Sequence, residues 1–129
     1  YNFFWPDYYR FETGQYDMRA SFSADKSLYF ENNPLFFADK VDAPVLVWSG
    51  LEDKNVTSDQ SMAFYNALRR NGKSVIALFY KGEGHGIGNP EAQSDLTNKI
   101  LDWFDYFLKD NKSIVWIDQG MKVKKKDAR

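Results

Sequence analysis

The chain has 129 residues, of which 43% are hydrophobic and 27% charged, as is ordinary for a soluble globular domain. Its net charge of −1 argues against a general polyanion binder, and the absence of cysteine excludes disulfides, thiolate nucleophiles and thiolate metal sites. No apolar stretch approaches the ~18–20 residues that span a bilayer. We therefore expect a soluble protein, cytoplasmic or exported, that binds neither nucleic acid nor membrane.

The N-terminal part of the chain is unusually aromatic. Thirteen of the 23 aromatic residues lie in the first 37 positions. Residues 1–43 show little periodicity and predict irregular structure with short helical pieces. The pair Asn33-Pro34 interrupts them, because a residue before proline is pushed out of the helical region.

From residue 44 onward the sequence predicts a strand and then a helix. The apolar run VLVW at residues 45–48, stopped by a Ser-Gly pair, is typical of a strand covered on both faces. In the helix that follows, Thr57 and Gln60 have the spacing of a capping box. Gly72 is placed to end this helix as the residue after its C-cap.

A second strand and a second helix continue the pattern. The run VIALFY at residues 75–80 is rich in β-formers, and Asn89-Pro90 supplies a helix cap and a first-turn proline. Helical spacing predicts an amphipathic helix from about residue 90 to residue 108. Its apolar positions are Leu96, Ile100, Trp103 or Phe104, and Phe107. The run IVWI at residues 114–117 predicts a short edge strand or a packing segment.

The order strand–helix–strand–helix implies parallel strands and an α/β fold. We predict an aromatic-rich segment over residues 1–43, the strand–helix unit over residues 44–110, and an extension with a basic tail over residues 111–129. In open α/β sheets the chemistry gathers beyond the carboxyl ends of the strands. Asp53 follows the first predicted strand, and His85, the lone histidine, follows the second.

Asp53 and His85 are two thirds of a nucleophilic hydrolase triad. A carboxylate that accepts from imidazole Nδ1–H fixes the tautomer and stabilises the imidazolium formed during attack. An aspartate after a strand is more often a turn former and a lone histidine more often a surface group, but their pairing at neighbouring strand ends favours chemistry. Glu52 and Glu83 are alternative acids, which we interpret as solvated or local-turn groups.

The nucleophile of such a triad is missing, because no Gly-x-Ser-x-Gly occurs in the chain. Ser49 lies at a strand end without the glycine elbow, Ser58 and Ser61 belong to a helix start, and the N-terminal serines lie in irregular sequence. One histidine and no cysteine leave only carboxylates as further metal ligands, so we expect no metal and no cofactor.

Six short motifs occur together between about residues 33 and 109. They are NPLF at 33–36, ADKV at 38–41, APVLV at 43–47, GLEDKNV at 50–56, ALRRNGK at 67–73 and YKGEGHG at 80–86. In this combination the chain resembles the C-terminal end of the prolyl-oligopeptidase family of serine peptidases, which includes dipeptidyl and acylaminoacyl peptidases. We therefore expect a C-terminal fragment of such a protein.

The resemblance implies the C-terminal part of an α/β-hydrolase parallel sheet with flanking helices, in which Asp53 is the triad acid and His85 the general base. It also implies that Asn55 and Val56 line the substrate pocket. The nucleophilic serine, usually beneath a β-propeller that admits small peptides, would lie in an upstream remainder of the same polypeptide. The fragment alone should then be inactive, and its unpaired sheet edge predicts a homo-oligomer.

Two other functions stay open. The same triad could serve an esterase, or the chain could be a non-catalytic hydrolase-like domain that binds a partner through its aromatic surface. An upstream Gly-x-Ser-x-Gly with propeller-like repeats would favour the peptidase. The motif without a propeller would favour the esterase, and its absence the interaction domain.

Overall fold

The computed structural model describes residues 18–119, which form two compact units divided between residues 86 and 87. The first unit contains helix α1 (Lys26–Glu31), a 3₁₀ segment (Pro34–Lys40), strand β1 (Val45–Gly50), helix α2 (Ser58–Arg70) and strand β2 (Val75–Tyr80). The second contains helix α3 (Pro90–Leu108) and helix α4 (Val115–Gln119). Residues 1–17 of the predicted aromatic segment and residues 120–129 of the predicted tail lie outside the described range. The division at residues 43 and 110 stays a prediction.

The short helical pieces predicted before residue 43 are confirmed within the described range. Asp25 caps α1 by accepting from the Leu28 amide at 3.3 Å. Asn33 has extended backbone angles (φ −107°, ψ 108°) and its side chain accepts from the Leu35 amide at 3.0 Å. The helical conformation is therefore interrupted at Asn33, as expected for a residue that precedes proline.

The two strands pair in parallel, as the sequence predicts. Their register runs from Val45 opposite Val75 to Gly50 opposite Tyr80. Helix α2 and the 3₁₀ segment pack against one face of this pair around Leu68, which is fully buried. The core cluster consists of Ala38, Leu68 and Val75, with Val41, Val45, Val47, Phe64, Tyr65 and Ala67 partly buried against it.

The prediction that β1 is covered on both faces is wrong for Trp48. Val45 and Val47 pack into the core cluster, whereas Trp48 is 46% exposed. Successive side chains of a strand point to opposite faces, so the face that carries Trp48 is not the one covered by the core cluster.

Helix α2 begins without the predicted capping box. The Thr57 side chain makes no capping hydrogen bond, and the Gln60 amide donates to the Thr57 backbone carbonyl at 2.9 Å instead. The end of α2 is as predicted, because Gly72 has a positive φ of 67°. The Gly72 amide bonds to the Arg69 carbonyl at 3.1 Å and the Lys73 amide to the Leu68 carbonyl at 3.0 Å, the pattern of a Schellman motif.

In the second unit, the predicted start of α3 is confirmed. The Asn89 side chain accepts from the Glu91 and Ala92 amides at 2.8 and 3.2 Å, with Pro90 in the first turn. Of the two aromatic candidates for the core, the structure buries Trp103 and leaves Phe104 53% exposed.

Residues 115–119 form helix α4, so the edge-strand interpretation of this segment is wrong. It is a packing segment instead: Trp116 Nε1 donates to Asp102 at 2.8 Å, and the Tyr106 hydroxyl donates to Asp118 at 2.5 Å. Both side-chain hydrogen bonds attach this short segment to α3. Among residues 18–119 no helix combines the length and apolarity needed to cross a membrane.

Candidate active site

The site lies where the two parallel strands end. Strand β1 ends at Gly50 and β2 at Tyr80, directly opposite each other. Beyond them, the Leu51 amide bonds to the Tyr80 carbonyl and the Glu52 amide to the Glu83 carbonyl, both at 2.9 Å. The two loops therefore stay joined past the end of the sheet, before one reaches Asp53 and the other reaches His85.

These loops bring Asp53 and His85 into contact. The distance from His85 Nδ1 to Asp53 Oδ2 is 3.0 Å. The other oxygen, Asp53 Oδ1, accepts from the Asn55 amide at 2.7 Å and from the Val56 amide at 2.9 Å. Both carboxylate oxygens are thus held in place, one by the backbone of its own loop and one by the imidazole.

The two members of the pair differ in exposure. The Asp53 side chain is 7% exposed, whereas that of His85 is 59% exposed. An acid that orients an imidazole needs no access to a reacting group, but the imidazole does. The exposure therefore suits a buried orienting carboxylate and an accessible base.

Burial raises the pKa of Asp53, but the hydrogen bonds from His85 and from the Val56 and Asn55 amides outweigh it and bring the pKa below its ordinary value of 3.8. Asp53 is therefore ionised at neutral pH. An ionised carboxylate can only accept, so neutral His85 carries its proton on Nδ1. This leaves the lone pair of Nε2 free to take a proton.

The lowered pKa of Asp53 makes the stability of the protein pH-dependent. Because the folded-state pKa lies below the unfolded one, the stabilisation is complete above the ordinary value of 3.8 and is lost as pH falls through the lowered pKa. We expect Asp53→Asn to flatten the acid limb of the stability curve, measured by urea unfolding across the acid range. His85→Ala should flatten it only in part, since the two amides still hold Oδ1. Equal slopes in the wild type and Asp53→Asn would contradict this.

Asn55 and Val56 lie beside Asp53 and supply backbone amides to it. Both are exposed, Val56 by 46%, and their predicted role in a substrate pocket stays a prediction. Of the alternative acids, Glu52 is exposed but Glu83 is only 7% exposed, so of our two interpretations of Glu83 the solvated group is wrong and the local-turn group stays a prediction. The Glu83 backbone carbonyl accepts the hydrogen bond from the Glu52 amide that joins the two loops.

Ser49 is also buried, at 8% exposure, and its hydroxyl lies 3.2 Å from the Gly50 carbonyl. Within residues 18–119 no three His, Cys, Asp or Glu side chains gather into a group that could hold a metal ion.

The residue that sequence reasoning missed is Gly50. The sequence draws attention to the glycines around His85, of which Gly82 has a positive φ of 79°. A Cβ on Gly84 or Gly86 would meet nothing within 4 Å, whereas one on Gly50 would meet the backbone of the His85 loop. The signal in the sequence that could have identified Gly50 was its position at the very end of β1, beside the next strand.

Comparison with known proteins matches this chain to one family model and to several curated relatives. The sequence model described as the prolyl oligopeptidase family matches residues 3–111. An acylamino-acid-releasing enzyme of Rattus norvegicus is 31% identical over 106 residues, which is 80% of this chain and 14% of that protein. Dipeptidyl peptidase family member 6 of Caenorhabditis elegans is 39% identical over 59 residues, 46% of this chain and 8% of that protein.

The solved structures include a similar fold. An acylaminoacyl peptidase in complex with Z-Gly-Gly-Phe-chloromethyl ketone superposes with a TM-score of 0.63 at 28% identity, over 73% of this chain and 16% of that one. The chain thus spans about a seventh or less of the length of these curated relatives.

Proposed function

The chain belongs to the prolyl oligopeptidase family, and on that premise we propose that it supplies the acid and the general base of a serine-peptidase active site. The membership and the solved-structure likeness confirm the predicted α/β-hydrolase fold class. The observation that carries the proposal is the 3.0 Å contact between His85 Nδ1 and the buried carboxylate of Asp53.

In the proposed reaction, a serine from the upstream remainder of the polypeptide attacks the carbonyl carbon of a peptide bond. As its oxygen bonds to that carbon, its proton passes to His85 Nε2. Asp53 holds the ring in the required tautomer and stabilises the imidazolium without itself being protonated. When the carbon–nitrogen bond breaks, the proton passes from Nε2 to the leaving amine, and a water molecule repeats the sequence to release the acyl group.

The openness of the imidazole supports this arrangement. With 59% of its side chain exposed, His85 is accessible to a group from outside residues 18–119. Similarity to a dipeptidyl peptidase family member and to an acylaminoacyl peptidase favours peptide over ester substrates. We propose small peptides as substrates, Asn55 and Val56 as part of the pocket, and the rest of the polypeptide as the partner that supplies the nucleophile.

Labelling of the full-length protein with a fluorophosphonate tests the proposal. We expect covalent modification of one serine within an upstream Gly-x-Ser-x-Gly, together with hydrolysis of small peptides. Hydrolysis of esters but not peptides would favour the esterase. A protein that is neither labelled nor active would favour the non-catalytic interaction domain.

The 129-residue chain by itself should not hydrolyse peptides or esters. An acid and a base without a nucleophile offer no route to an acyl-enzyme. The measurement is turnover of peptide and ester substrates by the purified chain, with the full-length protein as the positive control. Serine-type turnover that is abolished by His85→Ala in the isolated chain would contradict the prediction and reveal a nucleophile among these residues.

A further inference from the structure

The closest approach between the two loops of the site occurs at Gly50. A Cβ at this position would lie 2.2 Å from the Gly84 carbonyl oxygen, 2.3 Å from the Glu83 carbonyl oxygen and 2.6 Å from the Glu83 carbonyl carbon. Contacts below 3.0 Å are essentially absent for real Cβ atoms. Because all three neighbours are backbone atoms, no side-chain rotation can relieve the overlap.

The backbone of residues 83–84 is also held in place by a hydrogen bond. The Glu52 amide donates to the Glu83 carbonyl at 2.9 Å, and that oxygen is one of the atoms that lie against Gly50. Gly50 is three residues before Asp53, and Gly84 is directly before His85. The contact therefore joins the two loops within a few bonds of both members of the pair.

We propose that Gly50 is a positioning residue for the pair of Asp53 and His85. Its missing side chain admits the backbone of residues 83–84, the Glu52 amide holds that backbone in place, and the two together set the distance between carboxylate and imidazole. The consequence for hydrolysis rests on the proposed function, whereas the consequence for the imidazole does not.

The size of the overlap decides whether the pair survives a methyl group at position 50. To reach even 3.0 Å, the carbonyl of Gly84 must retreat by about 0.8 Å from its 2.2 Å position. The 3.0 Å bond between His85 and Asp53 is only about 0.2 Å short of the upper limit of about 3.2 Å for such hydrogen bonds, so a shift of His85 by a fraction of that 0.8 Å away from Asp53 breaks it. Gly50→Ala should therefore break the bond between the two side chains.

The loop offers a matched control. Gly86 also adjoins His85, but a Cβ on it would meet nothing within 4 Å, and its φ is not positive. Gly86→Ala makes the same chemical change as Gly50→Ala, nearer to the histidine in sequence. If closeness to His85 in sequence decided the outcome, Gly86→Ala would disturb the bond between Asp53 and His85 more than Gly50→Ala does. If the backbone contact decides it, only Gly50→Ala should disturb that bond.

Because His85 is the lone histidine, the ring nitrogens of the ¹⁵N-histidine-labelled 129-residue chain report on it without ambiguity. In the wild type and in Gly86→Ala we expect the neutral ring to carry its proton on Nδ1, held by Asp53. In Gly50→Ala we expect a shift towards the Nε2–H tautomer that free imidazole side chains favour, with circular dichroism confirming that the fold is kept. A Gly50→Ala ring that stays in the Nδ1–H form would overturn the proposal.

If Gly50→Ala does not fold, a backbone ester in place of the Glu52 amide provides the second test. It removes the donor to the Glu83 carbonyl without adding an atom. The expected result is the same shift of the His85 tautomer, and an unchanged tautomer would overturn the proposal.

Kinetics of the full-length protein separate this inference from the proposed function. We expect Gly50→Ala to lower kcat by about 100-fold, the effect of a misplacement of about 1 Å, with KM little changed. A tautomer shift in a protein whose wild type hydrolyses no peptide would support the positioning role and defeat the proposed function. An unchanged tautomer and kcat in an active peptidase would defeat the positioning role alone.

Discussion

Replacing His85 by alanine in the full-length protein should lower kcat by about 10⁶-fold, since loss of the histidine of a triad removes nearly all the catalysis that the triad provides. The physical reason is that the serine hydroxyl then has no acceptor for its proton, and the leaving amine has no donor. The measurement is turnover of a small peptide under saturating conditions, with KM determined separately. KM should change little, because the imidazole acts on the transition state rather than on the bound peptide.

Rescue by free imidazole provides the control for His85→Ala. The His85 side chain is 59% exposed in the described part of the chain, so the space left by its removal should be open to a small base. Added imidazole should restore part of kcat in His85→Ala and leave the wild type unaffected. A variant that keeps wild-type turnover without imidazole would refute the role of His85 as general base.

Asp53→Asn should lower turnover in the full-length protein by about 10⁴-fold, the effect seen when a triad acid is replaced by its amide. The amide is nearly the same size, so the Asn55 and Val56 amides can still bond to its oxygen. Its NH₂ group then faces His85 Nδ1 and can only donate. The ring must therefore accept at Nδ1 and carry its proton on Nε2, where it cannot take the proton of serine.

The matched control for Asp53→Asn is Asp59→Asn, which makes the same change at an exposed position in the first turn of α2. We expect wild-type kcat for Asp59→Asn. Glu52→Gln tests the neighbouring acid, whose side chain is exposed. If Glu52→Gln lowered turnover by the amount expected for Asp53→Asn while Asp53→Asn did not, the acid of the triad would have been assigned to the wrong residue.

The elements themselves could be predicted because their signals are local. Asn89 and Pro90 begin α3, and Gly72 ends α2, through hydrogen bonds and backbone angles that involve only residues a few positions away. Two other local predictions were wrong. Thr57 has the spacing of a capping box but forms no cap, and residues 115–119 became a helix that hydrogen-bonds to α3.

The sequence also determined that His85 would lie near an acidic side chain. Strands in the order β1, α2, β2 place their carboxyl ends at one edge, so an aspartate and a histidine that follow those ends must lie close together. Only the tertiary structure decided which acid contacts the ring, because Glu52, Asp53 and Glu83 are all near enough in sequence. Which acid contacts His85 depends on the Asn55 and Val56 amides, which hydrogen-bond to Asp53. It depends also on the approach of the backbone of residues 83–84 to Gly50. The approach to Gly50 joins residues about thirty positions apart, and no local pattern of residue types specifies a separation of a few tenths of an ångström.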